Sequence, residues 1–162
     1  METRVPADKV SIVPYTAVHK VAIKELNYEW LEKYFFVEPN DVIQLSDPQG
    51  EIIDKGGSIF YAMYKGEPVG TASLMKVSDD EYELAKMAVT EKYKSFGIGR
   101  RLMEHCIREA LSLKAKKIIL YSNTKLVPAI QLYRKYGFVE VPPSAGVHYI
   151  RSDIKMEKIL QG

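Results

Sequence analysis

The chain has 162 residues, of which 46% are hydrophobic and 27% charged, and its formal net charge is +2. Such a length supports one sizeable core in one domain, and so small a charge gives no argument for a nucleic-acid or membrane partner. No apolar run approaches the ~20 residues that a bilayer requires, and the start "METRVPADKV" has no signal-peptide core. Cys106 is the single cysteine, which excludes an internal disulfide and a cysteine-based zinc site. The expectation is a soluble, cytoplasmic domain.

In chain order, "SIVPY" (11–15) is a short apolar strand candidate. Val18, Ala22, Leu26, Trp30 and Tyr34 then recur every fourth residue among charged ones, the pattern of an amphipathic helix. Pro39 and "SDPQG" (46–50) interrupt the next stretch and leave room for one short helix near 40–46. "SIFYAMY" (58–64), a glycine-containing connector and "PVGTASLMKV" (68–77) predict a hairpin. "DDE" (79–81) turns the chain into a third strand, "YELAKMAV" (82–89). Ile98, Leu102, Cys106, Ala110 and Leu113 mark a helix that starts at or inside two glycines, Gly97 and Gly99. "KKIILYS" (116–122) is apolar without alternation, as a strand buried on both faces would be. "VPAIQLYRKYGF" (127–138) is a helix with Pro128 in its first turn and Gly137 just past its end. The tail "VHYIRSDIKMEKIL" (147–160) alternates loosely and suits a final strand. The predicted order is β-α-(α)-β-β-β-α-β-α-β, one mixed α/β domain.

The strand–glycine–helix junction around Gly97 and Gly99 is a ready anion site, because the first backbone N–H groups of a helix lack internal partners and its dipole favours phosphate. The common nucleotide motifs do not fit it. A Rossmann fingerprint needs a glycine where Leu102 stands, and no Gly-Lys-Ser/Thr string occurs. His19, His105 and His148 lie far apart with no metal-ligand spacing, so no metal is expected, and there is no Gly-x-Ser-x-Gly elbow for a serine nucleophile.

The segment "ELAKMAVTEKYKSFGIGRRLM" resembles the acetyl-CoA-binding motif of the GCN5-related N-acetyltransferases, the GNAT superfamily. In that family a strand ending in an apolar-x-Val pattern leads to Arg/Gln-x-x-Gly-x-Gly/Ala, which cradles the coenzyme pyrophosphate. Here the string is Lys94-Ser95-Phe96-Gly97-Ile98-Gly99, with lysine where Arg or Gln is usual. Downstream, "PAIQLYRKYGF" resembles the family's Ala-x-x-x-Tyr-x-x-x-Gly-Phe signature through Ala129, Tyr133, Gly137 and Phe138. Leu126 replaces the asparagine often found three residues before that alanine, and Asn123, a turn earlier, is the candidate substitute. The element order fits the family over about residues 10–160. The resemblance implies a single N-acetyltransferase domain over 1–162, with a mixed, mostly antiparallel central sheet of six or seven strands flanked by about four helices.

Acetyl transfer to an amine needs a neutral amine, stabilisation of a developing oxyanion and a proton for the departing thiolate. By the resemblance, Tyr133 is the candidate general acid at the coenzyme sulfur, with Tyr136 as the fallback. Glu83 is the candidate base, since protein-lysine-acetylating members carry a glutamate at the matching strand position, although many members use no dedicated base. Strand alternation puts Glu83, Ala85 and Met87 on one face. The resemblance further implies that backbone amides near Met87, Ala88 and Val89 hold the pantetheine arm. Those of Phe96, Gly97, Ile98, Gly99 and Arg100 would take the pyrophosphate. Arg100, Arg101, Lys92 and Lys94 could reach the outer phosphates. Acetyl-CoA is the expected cosubstrate.

Between Glu25 and Asp54 there are eight acidic residues and one basic residue, Lys33, on a segment that usually walls the acceptor site in this family. An acidic wall would draw in a cationic amine. Trp30, Tyr34, Tyr149 and Arg151 are candidate acceptor-pocket residues, and Arg151 could instead bind an acceptor carboxylate. A small cationic amine, an amino acid and a protein amine all stay open as acceptors. Two other readings stand beside the enzyme: a non-catalytic acyl-CoA sensor, and an α/β interaction module in which both motifs are packing devices. The hairpin edge and final strand could also pair between subunits, homodimers being common in the family.

Overall fold

The computed structural model describes residues 9–94, 96–143 and 149–160. The first half holds β1 (Ser11–Pro14), α1 (Lys20–Tyr34), α2 (Pro39–Ser46), β2 (Ser58–Tyr64), β3 (Glu67–Lys76) and β4 (Glu81–Val89). The second holds α3 (Ile98–Ser112), β5 (Lys117–Ser122), α4 (Val127–Lys135), β6 (Val139–Val141) and β7 (Ile154–Ile159). The β2–β3 hairpin closes through Lys65 and Gly66, both at positive φ (52° and 78°), the backbone that a two-residue hairpin turn demands. The seven strands form one sheet in the order β1-β2-β3-β4-β5-β7-β6. Only β4 and β5 run parallel, and every other pair is antiparallel.

Alternation along these strands builds a core on each face of the sheet. Phe60, Ala62, Ala72 and Leu74 meet the α3 stripe of Ile98, Leu102, Cys106 and Ala110. On the opposite face Ile59 and Tyr61 meet Ile23 of α1 and Leu45 of α2. Gly70 lets α3 sit directly on the sheet backbone. A Cβ there would lie 3.1 Å from Leu102 Cδ1 and 3.2 Å from Ile98 Cγ2. Leu102 is fully buried at this seat, so Leu102→Ala is expected to cost about 2–5 kcal/mol, measured by urea unfolding.

The four α-helices and the main strands agree with the sequence expectations, with three differences. In α1 the buried residues are Ile23, Leu26, Asn27 and Leu31, whereas Val18 is 85% exposed. A spacing of four drifts about 40° per step on a helix of 3.6 residues per turn. A stripe drawn every fourth residue therefore leaves the core, and Trp30 and Tyr34 face a cavity instead. The last strand begins at Ile154, and 149–153 is irregular chain with a turn at Ile150–Arg151. Residues 147 and 148 lie outside the described residues. Strand β6 was not anticipated, because three residues with Val139 and Glu140 exposed carry no alternation.

Candidate active site

Strand β4 is where pleat and sequence part. Ala85 pairs with Ser73 and Ala88 with Thr71, so Lys86 and Met87 both stand opposite Ala72. This is a β-bulge, with Lys86 at φ 53°, and a bulge bends its strand and shifts the facing of the residues after it. Glu83 and Ala85 stay on the face of Ile59 and Tyr61, but Met87 and Val89 pack into the α3-side core with Leu84. The expectation that Met87 shares a face with Glu83 and Ala85 is corrected by this extra residue.

Past the bulge β4 leaves β5. Their ladder covers only Glu81↔Lys117, Tyr82↔Ile118 and Glu83↔Ile119, although β4 continues to Val89 and β5 to Ser122. A cavity of about 640 Å³ fills the wedge and extends beneath α1 and α2. Glu83, Met87, Lys94, Asn123 and Tyr133 line it, as do Trp30, Tyr34, Tyr149 and Arg151. Ala88, Val89 and the residues from Phe96 to Arg100 stand outside the lining, at the passage into α3. Gly97 caps α3 at φ 80°, the left-handed region that suits glycine. Ser95 lies outside the described residues.

Tyr133, on α4, stacks edge-on against Phe138 with ring centroids 5.9 Å apart. Its hydroxyl makes no hydrogen bond to a described residue, and burial pushes it up to about 12. Tyr136 serves another purpose: its hydroxyl donates to Glu104 on α3 at 2.6 Å and does not line the cavity. Asn123 is engaged at both ends of its amide, donating to Arg151 O at 2.8 Å and accepting from Lys125 N at 2.9 Å. It thereby pins the 149–153 segment to the end of β5. Arg101 donates to the Val10 carbonyl, and Lys92 lines a separate surface groove.

The end of the cavity bounded by α2 and residues 149–152 holds a buried ion cluster that sequence reasoning missed. Asp41, with no exposed surface, accepts from both Arg151 nitrogens (2.7 and 3.0 Å) and from Lys86 Nζ at 2.7 Å. Lys86 Nζ also donates to Tyr149 Oη at 2.7 Å, and Tyr149 donates to Gln44 Oε1 at 2.6 Å. The Tyr149 ring lies 4.1 Å from the Arg151 guanidinium and 4.5 Å from Lys86 Nζ. Glu38 accepts from the backbone N–H of Ile150 and of Arg151 and from the Arg151 side chain, at 2.9–3.2 Å. Burial pulls the Lys86 ammonium below the ordinary lysine range even though Asp41 favours its charge. Burial also works against the Asp41 carboxylate, yet the hydrogen bonds from Arg151 and Lys86 hold it below the usual carboxylate range. One signal in the sequence pointed here: Lys86 is a cation inside the apolar strand run "LAKMAV".

At the other end, Lys33 and Lys94 share Glu91, at 2.8 and 3.1 Å, and Lys94 donates to Tyr34 Oη at 3.0 Å. The Lys33 hydrogen bond, then Lys94, hold Glu91 down to about 2. Lys125 sits 4.2 Å from the centre of the Phe35 ring and donates to the Tyr34 carbonyl. The charged residues of the lining are thus Lys33, Lys86, Lys94, Lys125 and Arg151 against Asp41 and Glu83. The acidic wall expected from residues 25–54 does not form around the cavity. Of its eight carboxylates only Asp41 is in the lining, while Glu25 and Glu29 line the other groove and Glu51 pairs with Lys55. Among the described residues no group of three or more His, Cys, Asp or Glu side chains is placed to hold a metal ion, and no helix is long and apolar enough to cross a membrane.

Comparison with known proteins adds a family. No curated protein matches the sequence. Among solved structures, a GNAT-family acetyltransferase from Staphylococcus aureus MU50 is similar over 94% of this chain and 99% of its own, with a TM-score of 0.84 at 21% identity. A GNAT-family acetyltransferase from Elizabethkingia anophelis with acetyl-CoA bound covers 94% and 99%, with a TM-score of 0.62 at 24% identity. The spermidine N-acetyltransferase from Vibrio cholerae, in complex with CoA and spermine, covers 94% and 96%, with a TM-score of 0.72 at 18% identity. At these identities the likeness is one of fold. The family model for GNAT acetyltransferases matches residues 17–138, three quarters of the chain, so the protein belongs to the acetyltransferase (GNAT) family.

Proposed function

We propose that the chain is an acetyl-CoA-dependent N-acetyltransferase that moves an acetyl group onto a primary amine by direct attack, acting as one transferase domain. The observation that carries this is the wedge between β4 and β5, with Tyr133 on its wall and the Tyr133 hydroxyl bonded to none of the described residues. The wedge fits the coenzyme. Beyond Glu83 the edge of β4 facing β5 has no strand partner, so its backbone groups are available to a pantetheine arm. The first N–H groups of α3, opened by the left-handed Gly97, suit a pyrophosphate. Acetyl-CoA bound there would supply an activated thioester carbonyl and a thiolate leaving group.

The residues then divide the work. Tyr133, protonated throughout the neutral range, donates to the leaving sulfur. Glu83, on the opposite wall, accepts the proton of the incoming ammonium. The backbone N–H groups of Met87, Ala88 and Val89 bind the arm and polarise the carbonyl. Those of Phe96 to Arg100, with Lys94 and Arg100, hold the phosphates. Asn123 contributes through the segment it fixes. Gly97→Val would force a branched side chain into the left-handed region at the helix start. It is expected to weaken acetyl-CoA binding by at least about tenfold in calorimetry.

The test is coenzyme A release from acetyl-CoA with amino acids, peptides, polyamines and aminoglycosides as acceptors. Release that requires both protein and amine supports the transferase. Tight coenzyme binding with no release on any acceptor favours a sensor.

A further inference from the structure

We propose that Lys86 is a specificity-determining residue that restricts this site to monoamine acceptors, those whose remainder is neutral or carries a carboxylate, and turns away diamines and polyamines. The inference rests on the transferase reading above and names its substrate class.

A polyamine brings at least one ammonium beyond the one that reacts, and a buried charge without an opposite charge beside it is costly to desolvate. The described lining holds two carboxylates, Asp41 and Glu83. Asp41 is already matched twice, by the forked Arg151 contact and by Lys86 Nζ at 2.7 Å. The neighbouring Glu38 is matched by Arg151 and two backbone N–H groups. Glu83, the other carboxylate of the lining, is the one proposed above to take the proton of the reacting ammonium. With Glu38 and Glu91 counted, which pair with Arg151 and with Lys33 and Lys94, the five cations of the lining face four carboxylates and keep a positive excess, so a second ammonium meets repulsion, whereas a carboxylate on the acceptor meets attraction. Among these cations Lys86 stands apart. Its side chain is 3% exposed and lies on the bulge of β4, next to the backbone proposed to polarise the thioester.

Removing its charge leaves Asp41 with Arg151 and makes the acceptor end one unit more negative. The fork to Arg151 and the N–H of Glu38 still satisfy Asp41. Methionine also bears the same positive-φ backbone cost as lysine, so Lys86→Met is a fair probe of charge. Lys86→Gln, which keeps a polar head, is the second variant.

Butylamine, 4-aminobutanoate and 1,4-diaminobutane share one amine and a four-carbon skeleton, and their far ends are neutral, negative and positive in turn. Wild-type protein should show kcat/KM for the diamine at least about tenfold below that for 4-aminobutanoate, and this ratio should rise about tenfold or more in Lys86→Met and Lys86→Gln. Calorimetric binding of the three amines to protein saturated with coenzyme A reads the same order without turnover. A diamine preferred by wild type, a ratio unmoved in both variants, or binding of none of the three overturns the proposal. Turnover of the diamine in preference to the others would do so while leaving the transferase reading intact. Absence of turnover on any acceptor, with the binding order as expected, would count against the transferase reading alone.

Discussion

Replacing Tyr133 by phenylalanine is expected to lower kcat by about 10²- to 10³-fold, within the range for a lost general acid, while acetyl-CoA affinity and Tm stay close to wild type. The ring keeps its edge-on contact with Phe138, and the hydroxyl has no described hydrogen bond to lose, so the change removes a proton donor and little else. Burial raises the hydroxyl to about 12. The acid form is therefore present at every pH below that value, and wild-type kcat should show no descending limb from this group until the pH nears about 12. Tyr136→Phe is the control. Its hydroxyl faces Glu104 on α3, so kcat should stay within about twofold. A full rate in Tyr133→Phe would remove Tyr133 from the chemistry.

Asp41→Ala is expected to cost about 3–5 kcal/mol of stability, the usual penalty for breaking a buried pair from one side. Arg151 would keep Glu38, but Lys86, 3% exposed, would keep only Tyr149 as a described hydrogen-bond partner. Urea unfolding at neutral pH measures the loss. The sign with pH comes from the direction of the Asp41 shift. Its folded-state value lies below its unfolded one, so its stabilisation is fully present above the ordinary carboxylate range and is lost as the pH falls through the lowered value. The deficit of Asp41→Ala should accordingly narrow in acid. Asp41→Leu combined with Lys86→Met should recover part of the loss, because no buried lysine is then left without its carboxylate. A deficit under about 1 kcal/mol would mean that the cluster is solvated and contributes like a surface pair.

Local signals were legible where local physics decides. Gly97 and Gly99 at the start of α3, Pro128 and Gly137 around α4, and the unbroken apolar run of β5 each state their conformation within a few residues, and the structure agrees. Tyr133 and Glu83 came to notice through family resemblance, and both prove to line one cavity. The features that were not legible depend on long-range partners. The β4 bulge inserts one residue that no periodicity shows, so alternation placed Met87 on the wrong face. The acidic segment was counted without its partners. Asp41 and Glu38 are matched by Lys86 and Arg151, which lie 45 and 110 or more residues away, and the remaining carboxylates of the segment stand outside the cavity lining. A charge sum over a segment says nothing about where its side chains point once an ion cluster forms from three separate stretches of chain.

The central claim is that the protein catalyses direct transfer of acetyl from the coenzyme to an amine. The most direct measurement is a single turnover with acetyl-labelled acetyl-CoA, excess protein and a mixture of amines, followed by mass analysis of every amine and of the protein. The account predicts label on the nitrogen of a monoamine, appearing with free coenzyme A in equal amount and slowed in Tyr133→Phe. Label that stays on the coenzyme while the coenzyme remains bound would contradict it.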